Sequence, residues 1–168
     1  MSMNLSRYLS EDVIKLEMET IIEPLEEGAS MSKWQQNCKE KILDELVTLI
    51  EKGNRIGNRT KLLLDFINRE KKATTGIGYG IAIPHIRSMQ AKDFILAFAR
   101  SHEGYDFNSL DGKRTHLFFV MAAPPYDDNL YLKAFKSLTE IIQYESVREE
   151  LIQATSPGEI IRIIRNFN

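Results

Sequence analysis

The sequence predicts an α/β fold, a mixed β-sheet flanked by helices. Two apolar runs of strand length, Phe94 to Ala99 and Leu117 to Ala123, are bounded by polar or turn residues and read as buried strands. Segments with apolar residues at helical spacing lie on both sides of them. Strands interleaved with helices bury their apolar faces best as layers around one sheet.

In chain order, Asp12 to Met18 alternates apolar and polar residues through Val13, Ile14, Leu16 and Met18, which predicts an early strand. Residues Ile21 to Cys38 mix Pro24, Gly28 and small polar residues, and are expected as an insertion or loop with room for a short helix around Trp34. Glu40 to Lys52 sets Ile42, Leu43, Leu46, Leu49 and Ile50 on one helical face, with Gly53 as the stop. Asn58 is placed to cap a second helix that buries Leu62, Leu63, Phe66 and Ile67. Pro124-Pro125 closes the second apolar strand, because neither residue donates to a ladder. Asp127 or Asp128 then opens a helix carrying Leu130, Ala134, Phe135, Leu138, Ile141 and Ile142. Ser146 with Glu149, and Ser156-Pro157 with Glu159, have the spacing of capping boxes, so three helices finish the chain.

The chain's 168 residues are read as a single domain over 1–168, long enough to bury roughly two thirds of the unfolded surface. Lysine and arginine number 22 against 24 aspartate and glutamate, and a net charge of −2 leaves no general basic footprint for nucleic acid. The one cysteine, Cys38, rules out an intrachain disulfide and is compatible with a reducing compartment. The N-terminus has no apolar stretch of signal-peptide length, and the longest apolar run is too short to span a bilayer. A cytoplasmic protein without membrane insertion is the expectation.

One segment asks for chemistry. Thr74-Thr75-Gly76-Ile77-Gly78-Tyr79-Gly80-Ile81-Ala82-Ile83-Pro84-His85 puts three glycines at alternate positions ahead of a β-rich run that stops at Pro-His. Proline ends the ladder, so His85 is expected at a strand terminus with a ring nitrogen to offer. This is no dinucleotide fingerprint, which follows a strand and opens a helix. Histidines 102 and 116 and Cys38 show no metal-ligand spacing, and no metal or other cofactor is expected. His102 lies in a polar Ser101 to Gly104 turn and is expected to be solvated.

The whole run through Pro-His, together with Tyr105-Asp106-Phe107-Asn108-Ser109-Leu110-Asp111-Gly112 and the opening Leu5-Ser6-Arg7-Tyr8-Leu9, resembles the enzyme IIA family of the bacterial phosphoenolpyruvate-dependent sugar phosphotransferase system. The class is fructose/mannitol, which includes the nitrogen-regulatory enzyme IIA proteins. The resemblance runs from about Glu40 to Phe167 and is weaker over Ile21 to Cys38. It implies that His85 takes a phosphoryl group from the phosphohistidine of an HPr-like carrier. The group then passes to an enzyme IIB or serves as a regulatory mark on a target protein. Neutral imidazole suits that role, as a good nucleophile near neutral pH and an acceptable leaving group.

Arg69 precedes His85 by sixteen residues (85 − 69 = 16), the interval between the family's active-site arginine and its phosphohistidine. A guanidinium fork matches phosphoryl oxygens and keeps its charge. Thr75 and the amides around Gly76, Gly78 and Gly80 offer neutral donors as a backbone nest, or else form only a tight turn. The resemblance also implies a second histidine near the start of the helix after Asp127-Asp128, and Tyr131 stands there instead. A tyrosine donates one hydrogen bond but carries no positive charge. His116, at the head of its strand, is where family members carry a structural histidine.

Two functions compete on this sequence. One is a phosphocarrier cycling through His85, in sugar transport or in regulation. The other is a module that keeps the fold, no longer cycles phosphate, and docks to a partner through the 21–38 segment with Trp34 as its aromatic anchor.

Overall fold

The computed structural model describes residues 3–127 and 129–167. Its central feature is the antiparallel pair β5 (Ile95–Tyr105) and β6 (Thr115–Ala123), in register from Ile95 opposite Ala122 to Arg100 opposite Leu117. Almost every residue of both strands is buried, so helices must cover the pair on its faces. Outside it, β1 (Ile14–Lys15) runs parallel to β5, and β3 (Ile81–Ala82) runs parallel to β6. The sheet order is β1-β5-β6-β3-β2, with β2 at Gly76–Gly78, and β4 (His85–Arg87) also pairs with β6. The sheet is therefore mixed, as the sequence predicts.

Five α-helices surround it among the described residues: α1 (Met31–Glu51), α2 (Arg59–Lys72), α3 (Leu130–Ile141), α4 (Glu145–Gln153) and α5 (Pro157–Phe167). Short 3-10 turns at Leu5–Tyr8 and Glu11–Val13 lead into β1. Helix α1 packs on α2 and on β5, α2 on β4, and α4 on α5 and β6. The apolar centre includes Phe98, Phe118 and Phe119, all fully buried.

Two caps sit where the sequence puts them. Asn58 accepts the Lys61 amide at 3.0 Å at the start of α2, and Ser156 accepts the Glu159 amide at 3.2 Å at the start of α5. At α3 the Asp127 carboxylate accepts the Leu130 amide at 3.0 Å, with Asn129 in the cap position. Asp128, the alternative opener, lies outside the described residues.

Other expectations are corrected. The segment expected as a loop over 21–38 is irregular only to Ser30, which caps α1, and Trp34 stands on the first turn of that 21-residue helix. The first turns of α1 show no apolar stripe because Ser32, Lys33 and Asn37 face solvent there. The early strand shrinks to Ile14–Lys15, since Glu11–Val13 form a 3-10 turn ahead of it; beyond it the Glu45 carboxylate takes the amides of Glu19 and Thr20, both at 2.8 Å. Helix α1 ends at Glu51 with Lys52 as its C-cap, so Gly53 follows it directly as expected, while the left-handed φ of 56° falls on the next residue, Asn54. Helix α4 opens at Glu145 behind Tyr144, with no side-chain cap, so Ser146 does not serve as its cap. Residues Ser101 to Gly104 are not a turn but a continuation of β5, whose register shifts before Tyr105. The apolar signal stops early because the buried Arg100 interrupts it. Its guanidinium donates to the carbonyls of Leu16, Leu151 and Ala154 at 2.8–2.9 Å, tying α4 to the sheet.

The glycine-rich run is itself a hairpin. Strands β2 and β3 pair antiparallel across Tyr79-Gly80, whose φ values of 58° and 76° are the positive pair of a type I′ turn. Residues 109–111 close over it, and a Cβ on Gly76 would come within 3.0 Å of the Ser109 Cα.

Candidate functional site

His85 is presented by an interrupted strand. Strands β3 and β4 lie along the same edge of β6, with Ile81 opposite Leu117 and His85 opposite Met121. Between them Pro84 keeps its carbonyl in the ladder, accepting the Met121 amide at 2.9 Å, but has no N–H to give. His85 is thus the first residue of β4, half-buried, beside the last turn of α2.

The ring's two nitrogens have different neighbours. Nδ1 lies 2.6 Å from the Ile83 carbonyl oxygen, which can only accept, so the proton sits on Nδ1. Nε2 then carries the lone pair, and the Arg69 Nη2 group lies 3.5 Å from it. Arg69 is braced by a 3.0 Å bond from Nη1 to the Ala73 carbonyl at the end of α2. Burial holds the imidazole below its ordinary value of 6.5, with the Ile83 carbonyl acting the other way and the Arg69 charge adding to the depression. The ring is neutral and nucleophilic at pH 7.

Helix α3 supplies the opposite wall. Tyr131 lies 6.1 Å from His85 between ring centroids, and Phe135, one turn on, lies 4.9 Å away. Among the described residues, no hydrogen bond joins the Tyr131 hydroxyl to the His85 ring; the contact is ring to ring. Burial pushes the Tyr131 phenol up to about 12, against the opposing charges of Arg87 and Arg69, so it stays neutral at any working pH. The Arg87 guanidinium carbon lies 4.9 Å above the Tyr131 ring. Arg69 and Arg87 also line an open groove of about 390 Å³ together with Lys72, Ile86, Met89 and Pro125.

The structure brings His85, Arg69 and Tyr131 together but leaves the glycine donors elsewhere. Gly80 lies opposite the start of β6, its carbonyl accepting from His116 and Leu117, four residues along that strand from Met121 (121 − 117 = 4). At 3.3 Å per residue that is about 13 Å from the His85 level. Gly78 packs on Asp111, and the Tyr79 amide donates to the Asp111 carboxylate. The Gly76 amide is taken by the Thr74 hydroxyl at 3.1 Å. Buried Thr75 gives both its amide, at 2.6 Å, and its hydroxyl to the Glu70 carboxylate. The segment 75–80 is therefore a tight hairpin in which the amides of Thr75, Gly76 and Tyr79 and the Thr75 hydroxyl are already used.

Three residues of this neighbourhood carry no functional signal in the sequence reading. Phe135 is legible there only as a core position. Glu70, the residue after Arg69 in the chain, is buried with Lys39, their charges 3.0 Å apart. Arg87 follows His85 by two residues, and strand alternation alone would have put it on the same face.

The remaining histidines are engaged structurally. His102 pairs with Glu17 at 2.6 Å, and His116 meets the Ser101 carbonyl at 3.0 Å. Among the described residues no group of histidine, cysteine and carboxylate side chains gathers as a metal site, and no helix is long and apolar enough to cross a membrane. Trp34, half-buried, donates its indole N–H to the Glu23 carbonyl at 2.8 Å and so holds the preceding segment down on α1.

The mixed α/β sheet with its flanking helices matches solved proteins of one class. The nitrogen regulatory protein IIA-Ntr of Neisseria meningitidis superposes with a TM-score of 0.80 at 26% identity, over 95% of this chain and 98% of that one. The family model described as "Phosphoenolpyruvate-dependent sugar phosphotransferase system, EIIA 2" matches residues 26–167, and the chain belongs to that family. The chain is 36% identical over 118 residues to the fructose-specific EIIA component of Haloferax volcanii, covering 70% of this chain and 77% of that protein. It is 38% identical over 130 residues to the fructose-specific EIIABC component of Bacillus subtilis, covering 77% of this chain. The matched part is only 20% of that relative's length.

Proposed function

We propose that this protein is a phosphocarrier that holds a phosphoryl group on His85 Nε2. In this reading an HPr-like phosphohistidine protein is the donor. An enzyme IIB or a regulatory target protein is the acceptor, in the cytoplasm. The observation that carries the reading is the pairing at the imidazole: Nδ1 is fixed as the donor to Ile83, and the bare Nε2 faces a guanidinium.

The step balances without a separate acid or base. The Nε2 lone pair forms the new N–P bond as the donor's N–P bond breaks, its electron pair returning to the donor ring nitrogen. The donor ring and His85 each keep the proton on their other nitrogen. His85 becomes a phosphoimidazolium whose Nδ1–H still points at the Ile83 carbonyl. Arg69 meets the phosphoryl oxygens, and positioning with charge compensation does most of the work in such transfers. Tyr131 and Phe135 wall the ring, which keeps the imidazole in one orientation.

The test is intact mass after incubation with phosphoenolpyruvate, enzyme I and HPr, beside a His85→Ala control. One acid-labile phosphoryl addition, absent from the control, is the expected result; an unmodified wild-type protein, or equal labelling of the control, would sink the reading. The pH profile gives a second expectation. Only neutral His85 attacks, and its pKa lies below the ordinary 6.5, so the single-turnover rate should be flat near pH 7. It should fall on acidification with a midpoint below 6.5. A midpoint at or above 6.5 would contradict the described environment of the ring.

A further inference from the structure

We propose that Phe135 is a positioning residue of the His85 site: packed against the imidazole, it fixes the ring orientation that presents Nε2 to the phosphoryl group. This deepens the phosphocarrier reading and rests on it. Among the described residues the imidazole has two polar neighbours. One is the Ile83 carbonyl, only two residues back in the same stretch of chain; the other is Arg69 Nη2, at the long distance of 3.5 Å. The torsion that turns a histidine ring has broad, roughly two-fold minima. One good hydrogen bond therefore fixes one nitrogen and lets the ring tip about it. Phe135 comes from a different element, α3, and its ring centroid lies 4.9 Å from that of His85 with the planes at 58°. That is within the range in which aromatic pairs attract beyond simple burial. Tyr131 stands farther off at 6.1 Å, and its ring has the Arg87 guanidinium carbon 4.9 Å from its centre.

The helix that carries Phe135 is itself held firmly. Ala134 and Leu138 are fully buried, and the Ser137 hydroxyl accepts the Met3 amide at 3.2 Å. The Phe135 ring, by contrast, is half-buried and packs against the apolar core instead of within it. Its hydrocarbon offers no hydrogen-bond acceptor, so an N–H tipped off the Ile83 carbonyl toward it would go unpaired. Orientation matters here because transfer between ring nitrogens depends on alignment, and a misplacement of about 1 Å can cost about a hundredfold in rate. The charged groups around the imidazole are Arg69 and Glu70 of α2 and Arg87, two residues on along β4; Tyr131 on α3 is neutral. Phe135 adds no charge to that set, so it acts on the ring's protonation only by keeping water away.

The test uses potassium phosphoramidate, a small donor that needs no protein docking, on the full chain carrying Phe135→Ala or Phe135→Tyr. Circular dichroism and thermal melting check the fold of both. Phe135→Ala is expected to slow single-turnover labelling by about ten- to hundredfold. In ¹⁵N NMR of the unphosphorylated protein, the His85 ring should pass from a single Nδ1–H tautomer in the wild type toward a mixture in Phe135→Ala. The acid limb of the variant's rate profile should rise toward 6.5, because water returns to the ring. Phe135→Tyr keeps the aromatic ring and should restore most of the rate and the single tautomer. A wild-type rate and wild-type ring signals in Phe135→Ala would overturn the proposal while leaving the phosphocarrier intact. A slow Phe135→Ala with an unmoved tautomer and acid limb would overturn it too, since the loss then lies outside the ring's orientation. So would a Phe135→Tyr variant no faster than Phe135→Ala. If neither phosphoramidate nor phospho-HPr labels the wild-type protein, the phosphocarrier reading falls and this proposal falls with it.

Discussion

Arg69→Ala should slow single-turnover phosphorylation of His85 by about 10²- to 10³-fold, the usual range for removing one preorganised donor from a site where charge develops. The reason lies in where the guanidinium is held. Its Nη1 is braced on the Ala73 carbonyl at 3.0 Å while Nη2 reaches 3.5 Å from Nε2, so the fork is in place before the phosphoryl group arrives. A donor already oriented costs little reorganisation during transfer. Arg69→Lys should fall between wild type and alanine, because an ammonium retains the charge and loses the planar fork. The variant also carries a signature that a general loss of fold does not share. Arg69 contributes to the depression of the His85 pKa, so its removal should raise that pKa and shift the acid limb of the rate profile toward higher pH. A neutral-pH rate within threefold of wild type, or an unmoved acid limb, would remove Arg69 from the site.

The parts of this structure legible in the sequence are those fixed by local rules. Asn58 and Ser156 cap helices because a short polar side chain ahead of a periodic apolar run meets the free amides of the first turn. The buried pair β5 and β6 is readable as two apolar runs of strand length. The strand terminus at His85 follows from proline's missing donor.

The rest depends on contacts distant in sequence. The first strand of the hairpin, Gly76–Gly78, gives no strand signal because its glycines have no side chains to alternate. The hairpin's type I′ turn is made by Tyr79 with φ 58°, a residue that carries no turn preference of its own. A hairpin and a phosphate-binding nest look alike until Glu70, Thr74 and Asp111 are seen to occupy the amides of Thr75, Gly76 and Tyr79. The first turns of α1 are polar on most sides, and only packing tells them from a loop. In the site, Arg69 is legible because its interval to His85 belongs to a family pattern. Phe135 and Arg87 are legible only once α3 and β4 are known to face each other.

Hardest of all to read is the ion pair Lys39–Glu70, two charges 31 residues apart, each inside a helix where a charge ordinarily faces water.

Breaking that pair should give the largest stability loss available from a single polar substitution here. The Lys39 and Glu70 side chains are 6% and 2% exposed, with Nζ 3.0 Å from Oε2. Lys39 also donates to the Thr74 hydroxyl at 3.1 Å and lies 4.8 Å over the Phe107 ring. Glu70 additionally accepts the Thr75 amide and hydroxyl. Lys39→Met leaves a buried carboxylate without its cation, which costs about 3–5 kcal/mol. For a chain of this size that corresponds to a fall of about 6–20 °C in the thermal midpoint. Removing both charges should cost far less. In Lys39→Met/Glu70→Gln the amide oxygen still accepts the Thr75 N–H, no ion is left buried, and the methionine fills the lysine's path against Phe107. The double variant is expected within about 1–2 kcal/mol of wild type, a coupling that a double-mutant cycle in urea measures directly. A Lys39→Met loss under about 1 kcal/mol, or a double variant no better than the single, would mean that water or another group compensates Glu70. The same double variant separates holding from chemistry. Glu70 follows Arg69 on the last turn of α2 and anchors Thr75 beyond it, so the pair acts by fixing that turn. If it does no more than this, the double variant should accept a phosphoryl group on His85 at close to the wild-type rate.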